Sequence, residues 1–355
     1  MQLCMIAGDG IGGEVMTAAQ RLLATLAPEL EIVEAPAGWG TFQDMGVSLP
    51  TGTLALARQS DAVLFGAAGS PSYPVEGYRS PIVALRRELD TYANIRPTRS
   101  LPREKRSVDL VVVRENTEDL YAGRERLEDN GDTAITERVI TRRASERIAR
   151  SACEVARDRA RTRPDRPAKL TIVHKANVIR AGDGLFRGVA LEVARAYPDI
   201  TVEEMLVDVA AMRLAQSPER FDVLVTTNMF GDILSDVASI HGGGLGLASS
   251  ASLGTQHAIF EPVHGSAPDI AGQGIANPIA TFGCIVMLCD WFATRSREAA
   301  TAQRYTQRAE RLRTAIATVL AHGPYTLDMG GDAATESVTT AVIQQLKPEP
   351  TIRSN

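Results

Sequence analysis

The chain has 355 residues, of which 44% are hydrophobic and 23% are charged, and its formal net charge is −5. This composition is that of an ordinary globular protein, and the length exceeds what one hydrophobic core usually organises, so we expect two domains. Because the charge is slightly negative and of mixed sign, the sequence offers no basic surface for nucleic acid or for a membrane, and neither is expected as a partner.

Four cysteines are scattered along the chain: Cys4, Cys153, Cys284 and Cys289. Their spacing fits neither a zinc site nor a disulfide framework, so we expect buried, reduced thiols. The sequence opens directly into a strand-like run without the features of a signal peptide, and no run approaches the roughly 18 apolar residues of a transmembrane helix. A cytoplasmic protein is expected.

Short apolar runs and amphipathic helical patterns alternate along the chain. In chain order we predict a strand at 3–7, a helix at 14–26, strands at 62–65 and 109–113, a helix at 145–161, a strand at 170–173, a helix at 184–196, a strand at 221–227 and a helix at 300–321. Several strands are apolar at nearly every position, which is typical of parallel strands buried on both faces. The alternation indicates an α/β fold.

The first turn carries the glycine-rich sequence Gly8-Asp9-Gly10-Ile11-Gly12-Gly13, between a predicted strand and a predicted helix. It satisfies the pattern GxGxxG, and Glu31 and Glu34 follow at about the distance of a ribose-binding acid. This pattern alone indicates a Rossmann domain. Glycines at a tight turn between a strand and a helix have a sufficient structural reason, however, so both interpretations are open at this point.

Three acids follow strand-like runs in the second half of the chain. Asp208 comes after Leu206-Val207, and Asp232 and Asp236 come after the predicted strand 221–227. The i, i+4 spacing places Asp232 and Asp236 on one helix face, at the sheet edge where α/β proteins bind ligands. Such carboxylates suit Mg2+ or Mn2+. They also suit the first turn of a helix as capping and dipole-compensating acids, and spacing does not decide between the two.

Basic and aromatic side chains add further candidates. Lys175 ends a predicted buried strand, where it suits either a general base or a structural salt bridge. Arg86, Arg96 and Arg114 are of the type that grips carboxylates through paired hydrogen bonds, although exposed arginines are common. Tyr121 suits either a general acid or a packed aromatic residue. No single member of this set identifies a reaction.

Taken together, these residues resemble the β-decarboxylating dehydrogenases, the family of isocitrate, 3-isopropylmalate, homoisocitrate and tartrate dehydrogenases. The resemblance runs from Gly8 to about Trp291. Its motifs are Gly8-Asp9-Gly10-Ile11-Gly12, Arg86 with Arg96-Pro97, Arg114-Glu115-Asn116-Thr117-Glu118-Asp119-Leu120-Tyr121, Lys175-Ala176-Asn177, Gly231-Asp232-Ile233-Leu234-Ser235-Asp236 and His264-Gly265-Ser266-Ala267-Pro268-Asp269-Ile270-Ala271-Gly272. Two positions depart from the family pattern, because Gly13 replaces a proline and Val209 an asparagine.

The resemblance implies an isopropylmalate/isocitrate dehydrogenase-like fold, which is not a Rossmann fold. Two α/β domains are expected to share a large mixed sheet. The large, cofactor-binding domain is expected at 1–97 plus 242–355. The small domain is expected at 98–241, with the metal ligands, the catalytic lysine and tyrosine and the dimer interface.

The resemblance also implies that the adenosine half of NAD rests on the loop 264–277. Its cofactor-binding residues are His264, Gly265, Ser266, Ala267, Asp269, Ile270 and Asn277. Asp269 falls where NAD users receive the ribose 2′-hydroxyl, whereas NADP users carry a lysine and a tyrosine in place of Asp269 and Ile270. A carboxylate accepts hydrogen bonds from a diol but repels a 2′-phosphate, so NAD is predicted.

The remaining site residues also follow from the resemblance. They are Asp208, Asp232 and Asp236 for Mg2+ or Mn2+, Tyr121 and Lys175 for catalysis, and Arg79, Ser80, Arg86, Arg96, Arg114 and Asn177 for the substrate. Lys175 as base and Asp208 as metal ligand are expected to come from the partner subunit, so a homodimer is the smallest active unit. Tyr121 is expected to protonate the product enolate.

The segment 77–86 is expected to select the group at C3 of a malate-type substrate. Isopropylmalate enzymes carry a glutamate aligned with Arg79, so Arg79 indicates an anionic tail, whereas Ile82 leaves the pocket partly apolar. Since the stretch 77–97 is most similar to homoisocitrate dehydrogenases, we predict oxidation of homoisocitrate to 2-oxoadipate. Isocitrate, 3-isopropylmalate, tartrate or another alkylmalate is the alternative. Ser80 before Pro81 reads equally as an anion-binding helix start or as a cap alone.

An inactive regulatory subunit of such an enzyme is a remote alternative. A subunit of this kind is expected to lose catalytic groups, whereas the catalytic lysine, the tyrosine and all three aspartates are present.

Overall fold

The computed structural model describes residues 1–73, 75–102 and 104–346. The end of the predicted large domain, at 347–355, lies outside the described residues, as do positions 74 and 103.

Strands and helices alternate through most of the described chain. The strands are β1 (Gln2–Gly8), β2 (Glu31–Glu34), β3 (Ala62–Ala67), β4 (Ala93–Arg99), β5 (Asp109–Glu115), β6 (Glu125–Glu128), β7 (Thr133–Thr136), β8 (Lys169–His174), β9 (Thr201–Leu206), β10 (Val223–Thr226), β11 (Ser249–Leu253) and β12 (Ala258–Pro262). The helices are α1 (Gly12–Leu26), α2 (Trp39–Met45), α3 (Thr51–Gln59), α4 (Pro81–Glu88), α5 (Arg142–Thr162), α6 (Gly182–Ala194), α7 (Val207–Gln216), α8 (Asn228–Ser239), α9 (Ile279–Arg295), α10 (Ala299–His322) and α11 (Thr335–Gln345).

The chain divides into two compact units. Of the described residues, the terminal unit contains 1–73, 75–76, 101–102 and 260–346, and the central unit contains 77–100 and 104–259. The terminal unit pairs β1 in parallel with β2 on one side and with β3 on the other. Helices α1, α9, α10 and α11 pack against one another in the same unit. Its core is strongly apolar, because all six residues of β3 and ten of the 17 residues of α9 are buried.

The central unit contains a mixed sheet of six strands in the order β11-β4-β5-β10-β8-β9. Strands β5, β10, β8 and β9 run parallel, whereas β4 pairs antiparallel with both β5 and β11. The parallel strands β5 and β10 are almost wholly buried, as their continuous valine-rich runs predict. Strands β6 and β7 form a separate antiparallel hairpin.

The α/β class with a large mixed sheet is confirmed, and all nine predicted elements are present. The predicted strand 221–227 is shorter at both ends. The polar, proline-containing segment 96–106, whose composition suggests a crossing between domains, begins within β4. The two compact units place 77–97 and 242–259 with the middle of the chain, whereas the sequence assigned both segments to the large domain. The domain boundaries of the family pattern stay a prediction.

All four cysteines are buried, as predicted. Within the described chain, no helix is both long and apolar enough to span a bilayer.

Candidate active site

Asp232 is the centre of a charged cluster in the central unit. It lies on α8, which begins directly after the parallel strand β10, so its side chain is at the sheet edge where α/β folds bind ligands. Its Oδ1 accepts a hydrogen bond from Arg114 Nη1 at 2.5 Å, and its Oδ2 accepts one from the Tyr121 hydroxyl at 2.5 Å. The structure thus brings a predicted metal ligand, a predicted substrate-binding arginine and the predicted acid into one contact group.

Arg114 is held rigidly at the end of β5. Its side chain is 1% exposed, and its Nε donates to Asn228 Oδ1 at 2.9 Å. The Tyr121 ring lies beside it, 5.1 Å from the guanidinium carbon to the ring centroid. A Cβ atom at Gly231 would lie 2.6 Å from Arg114 Cγ and 2.7 Å from its Cβ, so α8 approaches β5 this closely only because residue 231 has no side chain.

Arg96 connects the two aspartates of α8. Its Nη1 lies 3.1 Å from Asp232 Oδ1 and 3.7 Å from Asp236 Oδ1. Two polar side chains orient the guanidinium, because its Nε donates to Asn94 Oδ1 at 2.7 Å and its Nη1 to Ser235 Oγ at 2.8 Å. The predicted i, i+4 placement of the aspartates on one helix face is therefore correct.

Helix α4 contributes a third arginine. Arg86 is 8% exposed, and its positive charge acts on Asp232, Arg114 and Tyr121. Arg79, which precedes the helix, is exposed. Ser80 occupies the N-cap position of α4, but its hydroxyl accepts no hydrogen bond from a helix N–H. The predicted positions of Ser80 as N-cap and of Pro81 as the first helical residue are both confirmed. Binding of an anion by the backbone N–H groups at this helix start stays a prediction.

The two aspartates respond to this environment in opposite directions. Burial raises the pKa of Asp232, but the stronger combined effect of Arg114 and Arg96, with the Tyr121 hydrogen bond, lowers it below its ordinary value. Burial raises the pKa of Asp236, and the negative charge of Asp232 adds to this against the opposing charge of Arg96. Asp236 is therefore a carboxylate whose charge is incompletely compensated by the protein.

Burial also shifts the two neighbours of Asp232. It lowers the pKa of Arg114 to about 10, together with the positive charge of Arg96. It raises the pKa of Tyr121, and the hydrogen bond to Asp232 acts in the same direction, against the charge of Arg114. The Tyr121 hydroxyl consequently keeps its proton at neutral pH and is available as a proton donor.

Lys175 and Asp208 form a second, separate pair. Lys175 follows β8, Asp208 lies in the first turn of α7, and the Lys175 Nζ donates to Asp208 Oδ1 at 2.6 Å. The hydrogen bond from Lys175 lowers the pKa of Asp208. Among residues 1–73, 75–102 and 104–346, no three His, Cys, Asp or Glu side chains come together as metal ligands, so Asp208 does not join the other two aspartates within one chain. Asn177 is exposed.

The donor set of Asp232 and Asp236 fits a hard divalent cation. Both residues offer carboxylate oxygens from adjacent turns of one helix face, which Mg2+ and Mn2+ prefer. A cation there would offset both causes of the raised pKa of Asp236, which are burial and, to a smaller extent, the negative charge of Asp232. Two carboxylates alone leave most of the coordination shell to water, to substrate oxygens or to a further protein ligand.

In the terminal unit, the loop 264–277 is held through its own main-chain groups, by the glycine-rich turn and by the Glu14 side chain of α1. The Ile11 N–H donates to the Ser266 carbonyl at 2.8 Å, and a Cβ at Gly10 would lie 1.9 Å from the same oxygen. Glu14 Oε1 accepts a hydrogen bond from the Gly272 N–H at 2.5 Å. The structural interpretation of the glycine pattern therefore holds, since these glycines allow a close approach to the loop.

The predicted cofactor-binding residues differ in how many of their polar side-chain atoms are hydrogen-bonded within the protein. Asn277 is buried: its Oδ1 accepts from the Ile279 N–H at 3.0 Å and its Nδ2 donates to Asp328 Oδ2 at 3.0 Å, so it fixes the start of α9. Burial lowers the pKa of His264, whose Nδ1 lies 3.0 Å from the Gly265 carbonyl oxygen.

Two other loop residues stand out. Asp269 is exposed, and within the described part of the chain its carboxylate forms no hydrogen bond or ion pair. Ala267 has a φ of +36°, a conformation that side chains other than glycine rarely adopt. Gly265, Ser266 and Ile270 lie on the same loop, as the sequence requires.

Sequence reasoning missed the residues that orient the arginines. Asn228, Ser235 and Asn94 each accept a hydrogen bond from a guanidinium N–H. Ser235 lies between the two predicted metal ligands, and Asn228 lies four residues before Asp232. Both could have been found in the sequence as polar residues within about one helical turn of a predicted ligand. Asn94 carried no such signal, because its role depends on the pairing of β4 with its neighbours.

Comparisons with known proteins agree on one family. The sequence model of the family "Isocitrate/isopropylmalate dehydrogenase" matches residues 2–346. The isocitrate/homoisocitrate dehydrogenase of Thermus thermophilus is 48% identical over 348 residues, which cover 98% of each chain. The homoisocitrate dehydrogenase of Methanocaldococcus jannaschii is 44% identical over 361 residues, again with 98% of each chain covered.

A solved structure gives the same answer for the fold. The isocitrate dehydrogenase of Methylococcus capsulatus superposes with a TM-score of 0.88 at 38% sequence identity, over 97% of this chain and 99% of that one. The isopropylmalate/isocitrate dehydrogenase-like fold predicted from the sequence is thereby confirmed.

Proposed function

The chain belongs to the isocitrate/isopropylmalate dehydrogenase family and is a decarboxylating dehydrogenase, and we propose that it converts homoisocitrate to 2-oxoadipate with NAD and Mg2+ or Mn2+. The observation that carries the proposal is the contact group around Asp232. One carboxylate there binds a buried arginine through one oxygen and the protonated Tyr121 hydroxyl through the other. A cationic pocket for the substrate, a metal-ligating acid and a proton donor therefore share one site.

Three arginines bind the carboxylates of the malate part of the substrate. Arg86, Arg96 and Arg114 are each less than 10% exposed, so their orientations are fixed before the substrate arrives. Planar guanidinium groups match carboxylates through paired hydrogen bonds. We infer that the arginines mainly set substrate affinity, and that Asn177 contributes a further polar contact.

The chemistry of oxidation and decarboxylation is divided between the cofactors and the chain. When bound, NAD supplies the hydride acceptor and the metal ion polarises the 2-hydroxyl of the substrate. Lys175 takes the hydroxyl proton as general base, and Tyr121 donates a proton to the carbon that has lost CO2. Asp208 would add a carboxylate oxygen to the metal ligands, and it also holds the Lys175 ammonium in an ion pair at 2.6 Å.

The same residues support a homodimer with shared sites. Asp232 and Asp236 lack a third acidic ligand within the described part of one chain, so we propose that Asp208 and Lys175 act in the site of the partner subunit. Helices α7 and α8 pack side by side, and each carries two exposed apolar side chains one helical turn apart. These side chains are Val209, Met212, Met229 and Ile233, each between 36% and 50% exposed. Apolar surface of this kind on a globular protein suits a second copy.

Mixed dimers test the shared site. We expect Tyr121→Phe and Lys175→Ala homodimers to be inactive, and an equal mixture of the two chains to recover activity, because some dimers then contain one intact site. Mixing each variant with itself under the same refolding conditions is the control. A mixture that stays inactive would show that each chain completes its own site.

The loop 264–277 is the proposed site for NAD. The free carboxylate of Asp269 is suited to accept hydrogen bonds from the ribose diol, and its negative charge disfavours the 2′-phosphate of NADP. His264, Ser266 and Ile270 are proposed to contact the adenosine half. A structure with NAD bound to the glycine-rich turn instead would overturn this assignment.

Substrate choice rests on helix α4 and the residue before it. Val83 and Arg86 lie at i and i+3 on α4, so they share one face, and buried Ile82 precedes Val83. Arg79 lies two residues before the first residue of the helix. A positive charge next to apolar surface suits a side chain with methylene groups and a terminal carboxylate. This describes homoisocitrate better than isopropylmalate, whose side chain has no charge.

The decisive experiment is a substrate panel. NADH formation is followed with homoisocitrate, isocitrate, 3-isopropylmalate, tartrate and malate, with Mg2+ present and after chelation by EDTA. We expect the highest kcat/KM for homoisocitrate, and we expect Arg79→Glu to shift preference toward isopropylmalate. A preference of the unmodified enzyme for isopropylmalate overturns the argument from Arg79, and full activity after chelation overturns the metal requirement.

A further inference from the structure

Arg138 lies outside every motif used so far, between β7 and α5, and its side chain is only 14% exposed. Its guanidinium forms ion pairs with two carboxylates that have no solvent exposure, Asp119 through Nε and Asp183 through Nη1. Its Nη2 also donates to Thr227 Oγ1 at 2.6 Å and to Asp119 Oδ2 at 3.3 Å. The Phe230 ring covers one face of the group, 4.6 Å from the guanidinium carbon to the ring centroid.

Asp119 joins two elements of the active site. Its Oδ1 accepts a hydrogen bond from the Leu120 N–H at 2.9 Å, at the start of the turn Leu120–Ala122 that carries Tyr121. Its Oδ2 accepts one from the Met229 N–H at 3.0 Å, in the first turn of α8. Asp119 has a φ of +73°, an unfavourable conformation for aspartate that persists only where surrounding contacts enforce it.

Asp183 fixes the third element. It lies in the first turn of α6, and its Oδ2 accepts a hydrogen bond from the main-chain N–H of Lys175. This contact sets the position from which the lysine side chain starts. A single guanidinium therefore connects, through two buried aspartates, the backbones that carry Tyr121, Asp232 and Lys175.

Charge makes this connection hard to replace. Two buried carboxylates depend on one guanidinium and on three main-chain N–H groups for compensation. Removing the cation would leave both carboxylates buried with incomplete partners, which proteins tolerate poorly. A lysine keeps the charge but loses the planar fork that reaches two carboxylates at once.

We propose that Arg138 is a positioning residue that holds the Tyr121 turn, the start of α8 and the Lys175 backbone in their catalytic arrangement. The expected effect on turnover rests on the proposed function, in which Lys175 acts in the site of the partner subunit. Arg138 then links groups that belong to two different sites of the dimer. Its loss in one subunit impairs both sites, whereas the loss of Tyr121 impairs one.

Hydrogen exchange of the full-length protein tests the positioning role without reference to turnover. We expect Arg138→Gln to accelerate exchange of the Leu120, Met229 and Lys175 amides by about tenfold or more, with exchange in β10 unchanged. Arg138→Lys should fall between this variant and the unmodified protein. Acceleration at only one of the three amides, or equally throughout the protein, overturns the proposal.

Arg126→Gln is the matched control. Arg126 is another ion-paired arginine of the same unit, but it is 50% exposed and its partners Glu128 and Glu137 are at the surface. We expect the same three amides and the kcat of this variant to match those of the unmodified protein.

Kinetics with homoisocitrate, NAD and Mg2+ then separate a positioning role from a merely structural one. We expect Arg138→Gln to lower kcat by about 10- to 100-fold with little change in KM, because misplaced reacting groups slow the chemical step. A variant that loses only thermal stability, with unchanged kcat for the folded fraction, overturns the proposal.

Dimers with one Arg138→Gln chain and one unmodified chain test the link between sites. We expect their turnover to lie close to that of the variant homodimer. Turnover of half the unmodified value would confine the effect to one site and overturn the link. If the unmodified enzyme oxidises none of the five acids, the proposed function fails, and hydrogen exchange still decides whether Arg138 positions the three segments.

Discussion

In the central unit, the site around Asp232 is organised by charged side chains, whereas in the terminal unit the loop 264–277 is anchored mainly through its own main-chain groups. Arg114, Arg96 and Tyr121 converge on one carboxylate at distances of 2.5 to 3.1 Å. The loop is instead anchored through the Ser266 carbonyl and the Gly272 N–H. Substitutions in the central unit should therefore change charge and rate, and those in the terminal unit should change cofactor affinity or choice.

The largest expected effect comes from the proposed base in the central unit. Lys175→Ala should lower kcat with homoisocitrate by about 10^2- to 10^4-fold, because general-base catalysis contributes on this scale. Lys169→Ala is the control, since Lys169 lies at the other end of β8 and pairs with Glu203 at 3.1 Å. Turnover is measured by NADH formation, and folding by circular dichroism. Equal turnover of the two variants would remove Lys175 from the mechanism.

A steric change tests how tightly the charged cluster is packed. Gly231→Ala should destabilise the protein by about 1–3 kcal/mol and raise the substrate KM, because the new methyl group overlaps Arg114. Gly184→Ala is matched to it, as a helical glycine whose added Cβ would meet no atom within 4 Å. That variant should be unchanged or more stable by up to about 1 kcal/mol. Urea unfolding measures both, and similar outcomes would mean that the close approach of α8 to β5 is unimportant.

In the terminal unit, two acids should behave differently. Asp269→Ala should lower the preference for NAD over NADP by about tenfold, equivalent to about 1.4 kcal/mol, because the charge that repels the 2′-phosphate is gone. Glu14→Ala should raise KM for both dinucleotides to a similar degree, because Glu14 holds the loop at Gly272 and has no part in choosing the ribose. The ratio of kcat/KM values for NAD and NADP is the measurement. A change of preference in Glu14→Ala would contradict the division of roles.

The smallest effect separates the two aspartates of α8. The pKa of Asp232 is lowered on folding, so its carboxylate stabilises the protein above the unfolded value of about 3.9, and this stabilisation is lost as pH falls through the folded value. The pKa of Asp236 is raised, so its ionisation costs stability as pH rises above the unfolded value.

In EDTA at pH 7, Asp232→Asn should therefore lower Tm and Asp236→Asn should raise it slightly. The corresponding change in the free energy of unfolding should stay within about 1 kcal/mol for each variant, because both carboxylates are partly exposed. Both variants should lose the Tm increase that Mg2+ gives the unmodified protein. Shifts of the same sign in EDTA would show that the arginines do not distinguish the two carboxylates.

Much of this arrangement was readable from the sequence because it depends on local patterns. Continuous apolar runs indicate buried parallel strands such as β5 and β10, and the i, i+4 spacing of the two α8 aspartates fixes a shared face. The resemblance to a known family then assigned roles that spacing alone had left open. The charge and chemical type of a residue were sufficient to predict its place in the site where its partners are near in sequence or belong to the same motif.

The parts that were missed depend on contacts between distant segments. Strand β4 was not among the predicted elements, because its burial is decided by its pairing with neighbouring strands such as β5 and not by its mixed local composition. Arg138 gave no signal for the same reason, since Asp119 and Asp183 lie 19 and 45 residues away along the chain. Side-chain networks of this kind are set by tertiary structure.

The anchoring of the loop 264–277 through the Ser266 carbonyl also bears on how such enzymes diversify. Main-chain hydrogen bonds of this type place few demands on the identity of the side chains around them, except at Gly10, where a Cβ has no room. We therefore expect that position 269, the proposed selector of the dinucleotide, can exchange its side chain without rebuilding the scaffold. The glycine-rich turn thus fixes the loop backbone, whereas the side chain at position 269 can vary. Mutational scanning should find that the folded protein tolerates substitutions at 269 but not at Gly10.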